Sequence, residues 1–206
     1  LVIGAGAAGL CAALAAKETG VEVVVIERDA VPSGSTALSA GLIPAASTRF
    51  QRAKGIADTP VLFADDIQRK AHGEADPSLV EAVTRASGPL IEWLADRYGF
   101  PFDVVDNFNY PGHSALRMHG LPSRTGRELI DRLRSAAEAN DTAILSERVA
   151  ERLLAAPDGR ICGVKIKRGD GAHEDSGCDA LILACNGYGG KPGLVRRFSP
   201  EMAGVL

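Results

Sequence analysis

Leu1-Val2-Ile3-Gly4-Ala5-Gly6-Ala7-Ala8-Gly9 is the stretch whose reading decides the fold. An apolar strand end runs into a G-x-G-x-x-G turn, and an alanine-rich run from Ala7 to Glu18 has the composition of a helix. A second apolar run, Val21 to Ile26, ends in the acid Glu27. Strand, glycine turn, helix, strand and acid in this order specify a Rossmann-type βαβ unit. Gly4 and Gly6 let the backbone turn tightly and approach a pyrophosphate, and Gly9 lets the helix pack closely on the strand. The helix N-terminus then presents N–H groups and the positive end of its dipole to the phosphates. A dinucleotide is the ligand this turn predicts. Glu27 would accept hydrogen bonds from ribose hydroxyls and repel a 2′-phosphate, which disfavours NADP despite Arg28 next door.

Working outward, Ala30 to Ser47 is rich in Gly, Ser, Ala and Pro. Three helical stretches are predicted next. Thr59-Pro60 opens the first and Asp76-Pro77 the second, each with Pro in the favoured first turn. Gly88-Pro89 is read as separating the second from a third, which carries Leu90, Ile91, Trp93 and Leu94 and stops at Gly99. Phe102 to Val105 reads as extended, and a loop leads on to His113–His119. Thr125 with Glu128 predicts a capping box, followed by a buried stripe of Leu129, Ile130, Leu133, Ala136 and Ala137. In the last third, Ala143 to Leu145 reads as a strand, and Val149–Leu154 with Ile161–Lys167 as a hairpin turning at Pro157-Asp158-Gly159. Gly169-Asp170-Gly171 turns the chain again. Ala180 to Ala184 is a continuous apolar run, as expected of a strand buried on both faces. Ser199-Pro200-Glu201 looks like the start of another helix.

Composition narrows the function classes. The chain has 206 residues, 46% hydrophobic and 24% charged, enough for a substantial core. A net charge of −3 offers no basic surface on which to found a nucleic-acid partner. No stretch approaches the length of apolar sequence that spans a bilayer. The four cysteines, Cys11, Cys162, Cys178 and Cys185, form no C-x-x-C. Cys11 and Cys185 lie in apolar stretches and are expected as buried free thiols, which points to a reducing, cytoplasmic setting. No metal-spaced cluster and no nucleophile elbow is present, so no metal site and no catalytic residue is assigned. Only three residues precede Gly4, there is no initiator Met, and the end is apolar through Val205-Leu206. These features read as a piece of a larger protein.

The segment Ser33-Gly34-Ser35-Thr36-Ala37-Leu38-Ser39-Ala40-Gly41-Leu42 distinguishes among dinucleotides. Its composition alone would suit a flexible linker. Its small side chains would also let backbone N–H groups reach a pyrophosphate and a flat ring, with the Ser35 and Thr36 hydroxyls as further donors. From Val2 through Ala46 the chain resembles the N-terminal FAD-binding segment of the fumarate reductase and succinate dehydrogenase flavoprotein family. It is most similar to the soluble branch with flavocytochrome-type fumarate reductases, tricarballylate dehydrogenase-like proteins and ketosteroid dehydrogenases. The 33–42 segment matches that family's loop G-G-[NS]-[ST]-x-L-[SA]-x-G-G. Thr59 to Phe63 with Asp66, Asp76 to Val80 and Ile91 to Leu94 are similar to the helices that follow. Arg117-x-His119 with Thr125-Gly126 resembles the family's R-x-H segment and the start of its next helix. Ala180 to Gly190 is similar to the strand ending in A-[TA]-G-G-[YF].

The resemblance implies an α/β, Rossmann-like FAD-binding domain with a central parallel sheet, a β-meander and a helical insertion. The nucleotide-binding core would span about 1–46 and 142–206 and the insertion about 47–141, with the capping domain and C-terminal flavin segment absent. It implies FAD contacts at Gly4, Gly6, Ala8 and Gly9, and at Glu27 on the adenosine ribose. Ser35, Thr36, Ala40, Gly41 and Leu42 would line the pyrophosphate and flavin. Val149 would hold the adenine through its backbone, and Ala184 and Gly187 would approach from the last strand. Asn186 and Ser33 depart from the pattern, each standing where the family has Gly. The loop lacks the His that tethers flavin in the respiratory members, so non-covalent FAD is expected. The implied parent is an oxidoreductase that reduces or forms a C–C double bond beside a carboxylate or carbonyl, and this chain alone is expected to be inactive. An NAD-dependent dehydrogenase domain and a non-catalytic nucleotide-binding module are the alternatives. His113, Ala115, Arg117 and His119 share a face if that segment is extended. They would either bind an anion or pair internally.

Overall fold

A computed structural model describes residues 1–202 and 204. The apolar end at Val205 and Leu206 lies outside them. The chain begins with β1 (Val2–Ile3), α1 (Ala7–Glu18), β2 (Val24–Ile26), α2 (Gly34–Ala37), β3 (Ile43–Pro44) and α3 (Arg49–Ala53). There follow α4 (Pro60–Lys70), α5 (Pro77–Tyr98), β4 (Asp103–Val104), β5 (Met118–Gly120), α6 (Gly126–Ala139) and β6 (Ala143–Leu145). The last third holds β7 (Arg148–Ala155), β8 (Ile161–Arg168), β9 (His173–Gly177), β10 (Ile182–Leu183), α7 (Pro192–Phe198) and a 3₁₀ turn at Pro200–Met202. These elements form two compact units, one from Leu1–Pro32 with Ala137–Leu206 and the other from Ser33–Ala136.

The first unit carries a parallel sheet in the order β10-β1-β2-β6. Val2 is opposite Ile182 on one side and Val25 on the other, and Val25 is in turn opposite Ile144. This is the α/β architecture with a parallel sheet that the glycine turn predicts. The antiparallel meander β7-β8-β9 contributes Val164 and Ile166, which pack with Ile3 and Ile26 in one buried cluster. Hydrophobic burial of this kind is the main force holding the strands together.

In the second unit, β3, β5 and β4 form a small antiparallel sheet beside the helices. Asp76 caps α5 with a carboxylate that accepts from Ser78 N and Leu79 N, and Gly99 closes it in the left-handed conformation at φ 68°. Leu129, Ile130 and Leu133 are buried on α6, as their spacing predicts.

Several expectations are corrected. Pro89 does not divide two helices, because α5 runs unbroken from Pro77 to Tyr98. The preceding Gly88 has no Cβ for the proline ring to strike, and Pro89 itself lies on the exposed side. A Cβ on Gly88 would fall 2.5 Å from the Ala46 carbonyl oxygen, so this glycine also allows close packing. The strand expected at Ala180–Ala184 is confined to Ile182–Leu183. It is not buried on both faces: the two side chains are 39% and 60% exposed, since β10 is an edge strand. The second strand is shorter than Val21–Ile26, and among the described residues Pro200 starts a 3₁₀ turn, Pro200–Met202. The Thr125 box is half made. Thr125 Oγ1 accepts from Glu128 N, but the Glu128 carboxylate reaches back to Ser123 instead. Cys185 is exposed rather than buried.

Candidate functional site

The first unit places the β1–α1 turn at the carboxyl ends of the parallel strands, where an open α/β sheet takes its ligand. Gly4 adopts φ +102°, and a Cβ there would fall 2.5 Å from the Ala184 carbonyl oxygen. On Gly9 a Cβ would fall 1.8 Å from the Gly4 carbonyl oxygen. Neither position has room for a side chain. Gly6 is the N-cap of α1, with no side-chain cap and no acidic residue in the first turn. The first turn therefore presents backbone and dipole to a ligand, without an anion of its own. Cys11, further along α1, has its thiol pushed up to about 12 by burial, so it stays protonated and inert.

Glu27 has a second task that the sequence did not reveal. Its buried carboxylate accepts from Ala5 N at 2.8 Å and from Asp29 N at 3.0 Å, which fixes the glycine turn from below. A carboxylate has about four lone-pair sites, so acceptor capacity remains for a ribose. The Glu27 carbonyl takes the Arg148 N–H at 2.8 Å, which brings Val149 alongside the acid. Ala184 N donates to Ile3 O at 2.8 Å, and Ala184 sits against Gly4 and Gly9. Gly4, Gly9, Glu27, Val149 and Ala184 thus converge within one unit. Ala8 is exposed on the first turn, and Gly187 lies beyond in an exposed loop. Asn186 takes φ 64°, the left-handed conformation that glycine adopts most readily and asparagine tolerates best among the rest. Its departure from the family pattern therefore leaves the backbone path intact. Arg28 is paired with Asp29 at 3.1 Å.

In the second unit the 33–42 segment is a built turn rather than a linker. Ala37 N donates to Ser33 O, while Ser39 Oγ donates to Thr36 O and accepts from Gly41 N. Gly126 N donates to Ser39 O at 2.8 Å. A Cβ on Gly126 would fall 1.6 Å from Thr36 O, and one on Gly41 2.6 Å from Thr125 O. These two glycines seat the segment on the start of α6. Ser33 has a negative φ of −151°, outside the left-handed region that favours glycine, and the left-handed position falls to Gly34. Ser35 and Ala40 are exposed, Thr36 and Leu42 half-buried, Gly41 buried. Within the first unit, the start of α1 and a turn with no room for side chains at Gly4 and Gly9 fit the pyrophosphate of a dinucleotide.

The Arg117 and His119 patch pairs internally. Arg117 is fully buried and forks onto Asp58 through Nε and Nη2, both at 3.0 Å, while Nη1 donates to Asp66 at 2.6 Å. Its guanidinium lies 4.5 Å from the Phe63 ring centre. Each carboxylate is fully engaged. Asp58 also accepts from Gln51 Nε2 and Thr59 N, and Asp66 from Ser114 N, Ser114 Oγ and Arg69. Burial works to raise the Asp66 carboxyl, but Ser114 and Arg117 outweigh it and hold the group down at about 2. His119 Nδ1 faces the Arg117 carbonyl at 2.9 Å and must donate to it, so Nε2 accepts from Thr48 Oγ1 at 2.7 Å. Burial pushes His119 below its ordinary value, and the ring is neutral.

Sequence reasoning missed Asp58, Gln51 and Thr48. One signal was present: Thr48-x-x-Gln51 is a capping box, and both of its hydrogen bonds form at α3.

A sequence profile described as FAD binding domain matches residues 1–204. The chain is 30% identical over 204 residues to a urocanate reductase of Eggerthella lenta, covering 98% of this chain and 34% of that protein. It is 28% identical to a fumarate reductase (cytochrome) of Shewanella frigidimarina, over all of this chain and 36% of the other. Among solved structures, the open conformation of a flavocytochrome c3 fumarate reductase superposes with a TM-score of 0.89 at 26% identity, covering 98% of this chain and 36% of that one. A 3-ketosteroid-Δ4-(5α)-dehydrogenase from Rhodococcus jostii, 24% identical, shares the fold with a TM-score of 0.86 over 98% of this chain and 48% of that one. The chain spans about a third of the length of the curated relatives it matches.

Proposed function

The chain belongs to the FAD-binding-domain family, and from that premise we propose that it holds FAD for a longer fumarate reductase-like oxidoreductase. The observation that carries this reading is the β1–α1 turn, where Gly4 and Gly9 admit no side chain and Glu27 secures the backbone. Gly4, Gly6, Ala8 and Gly9 take the pyrophosphate through backbone N–H groups and the α1 dipole. Glu27 accepts from the adenosine ribose, and Val149 holds the adenine through its backbone. Ala184 and Gly187 approach from the last strand. Ser35, Thr36, Ala40, Gly41 and Leu42 are assigned to the pyrophosphate and flavin on the strength of the loop motif.

Bound FAD supplies hydride donation and acceptance at its flavin. The substrate of the whole protein is a small molecule in which a C–C double bond lies next to a carboxylate or carbonyl, with no nucleic-acid partner. No side chain of these 206 residues is assigned a proton-transfer role, and the chain by itself does not turn over substrate. Titration of the purified chain with FAD, followed by flavin fluorescence, tests the reading. Saturable binding that equimolar NAD and NADP fail to displace is expected, and displacement by NAD would point to a nicotinamide domain instead. Acid precipitation of the loaded chain is expected to leave all flavin in the supernatant, as non-covalent FAD requires.

A further inference from the structure

Two of the four cysteines stand directly opposite one another. In the β8–β9 ladder Gly163 pairs with Gly177 and Val164 with Ser176, so the next antiparallel position sets Cys162 against Cys178. Cys178 N donates to Cys162 O at 2.9 Å, which continues the ladder to that pair. Directly opposed residues place their side chains on one face of a sheet. A hydrogen-bonded antiparallel pair has Cα atoms about 5.5 Å apart, inside the range of about 4.4–6.8 Å that a disulfide spans. Both residues are half-buried free thiols, and the Cys162 thiol donates to Leu154 O on β7 at 3.5 Å, so it must turn about its side-chain bond to meet Cys178. Cys11 lies on α1 in apolar surroundings, and Cys185 is exposed beyond β10.

We propose that Cys162 and Cys178 are a redox-modification site that closes into a reversible cross-strand disulfide. With a low-molecular-weight disulfide such as oxidised glutathione as oxidant, one thiolate attacks a glutathione sulfur and releases the first glutathione thiol. The facing thiolate then attacks the protein sulfur of the mixed disulfide and releases the second. Two protein thiols are oxidised, one glutathione disulfide is reduced to two thiols, and both thiol protons pass to the departing thiolates. A bond within a hydrogen-bonded ladder must conform to the spacing of the two strands, which is the strained, readily reduced kind of disulfide. Its effect is to clamp the β8–β9 end of the meander whose Val164 and Ile166 pack on Ile3 and Ile26.

The test uses the 206-residue chain as a Cys185→Ser variant, which leaves Cys178 as the sole thiol in the tryptic peptide beginning at Gly169. The protein is incubated with excess oxidised glutathione, blocked with a maleimide, digested without reductant and read by mass spectrometry. The expected product is one cross-linked species joining the Cys162 and Cys178 peptides, lighter by two hydrogens than their sum. Excess reduced glutathione is expected to return both thiols. Separate maleimide adducts, or separate glutathione adducts that never resolve into the cross-link, would overturn the assignment. A cross-link that survives excess reduced glutathione would overturn its reversibility. In Cys162→Ser, Cys178 is expected to stop at the glutathione adduct.

Discussion

Arg117 shows what a single residue contributes to the second unit. Its charge is buried between Asp58 and Asp66, which are 0% and 2% exposed. Removing the cation leaves the buried Asp58 carboxylate without a counter-ion and Asp66 with only the largely exposed Arg69. Arg117→Met is expected to cost about 3–5 kcal/mol in urea unfolding. Arg117→Lys recovers only part of this, because an ammonium lacks the fork that bridges both acids. The sequence showed the alternation Ala115, Arg117, His119 but not its partners. Asp58 and Asp66 lie 59 and 51 positions from Arg117 along the chain, and no local pattern joins residues so far apart. Asp66 carried a weak clue: it stands three residues after Phe63 on one face of α4, and both are buried. An acid on an apolar face requires a cation.

At the scale of elements, the helix starts and the hairpin were legible because their causes are local. Thr59-Pro60, Asp76-Pro77 and Gly99 work through caps and fixed dihedrals within a turn or two. Failures arose where a neighbour decided the outcome. Gly88-Pro89 is a breaker by propensity, yet α5 persists because its buried face, with Val80, Ile91 and Leu94, is held by packing. The apolar run before Ala184 suggested a covered strand, and β10 instead lies at the edge of its sheet. Gly126 tests the seating of α2 on α6. Gly126→Ala would drive a Cβ into Thr36 O and is expected to destabilise the chain by about 1–3 kcal/mol or more. Gly189→Ala, where nothing lies within 4 Å, should leave the thermal midpoint nearly unchanged. Equal effects at both positions would show that the close approach carries no energy.

For the whole molecule, stability depends on pH through the buried groups of the second unit. His119 is held below its ordinary 6.5, so its neutral form suits the fold, whereas the unfolded chain binds the proton more readily. Its contribution is complete above 6.5 and declines as pH falls below it. Asp66, held at about 2 against 3.8, contributes fully above 3.8 and loses that contribution as pH falls from 3.8 towards 2. Urea midpoints should therefore drop in two stages on acidification, the first smaller in His119→Gln, with His113, which burial also holds below its ordinary value, supplying the remainder. The α/β class could be read from the stretch between Leu1 and Glu27, but the division into two units depends on contacts that no short window contains. That division has a kinetic consequence. Residues 33–136 form a continuous stretch, whereas Val2 and Ile3 are sealed into their sheet only by Ile182 and Leu183. On a ribosome, which releases the chain from its N-terminus, the second unit can fold while β1 still lacks its β10 neighbour. The glycine turn is made before the second unit and enclosed after it.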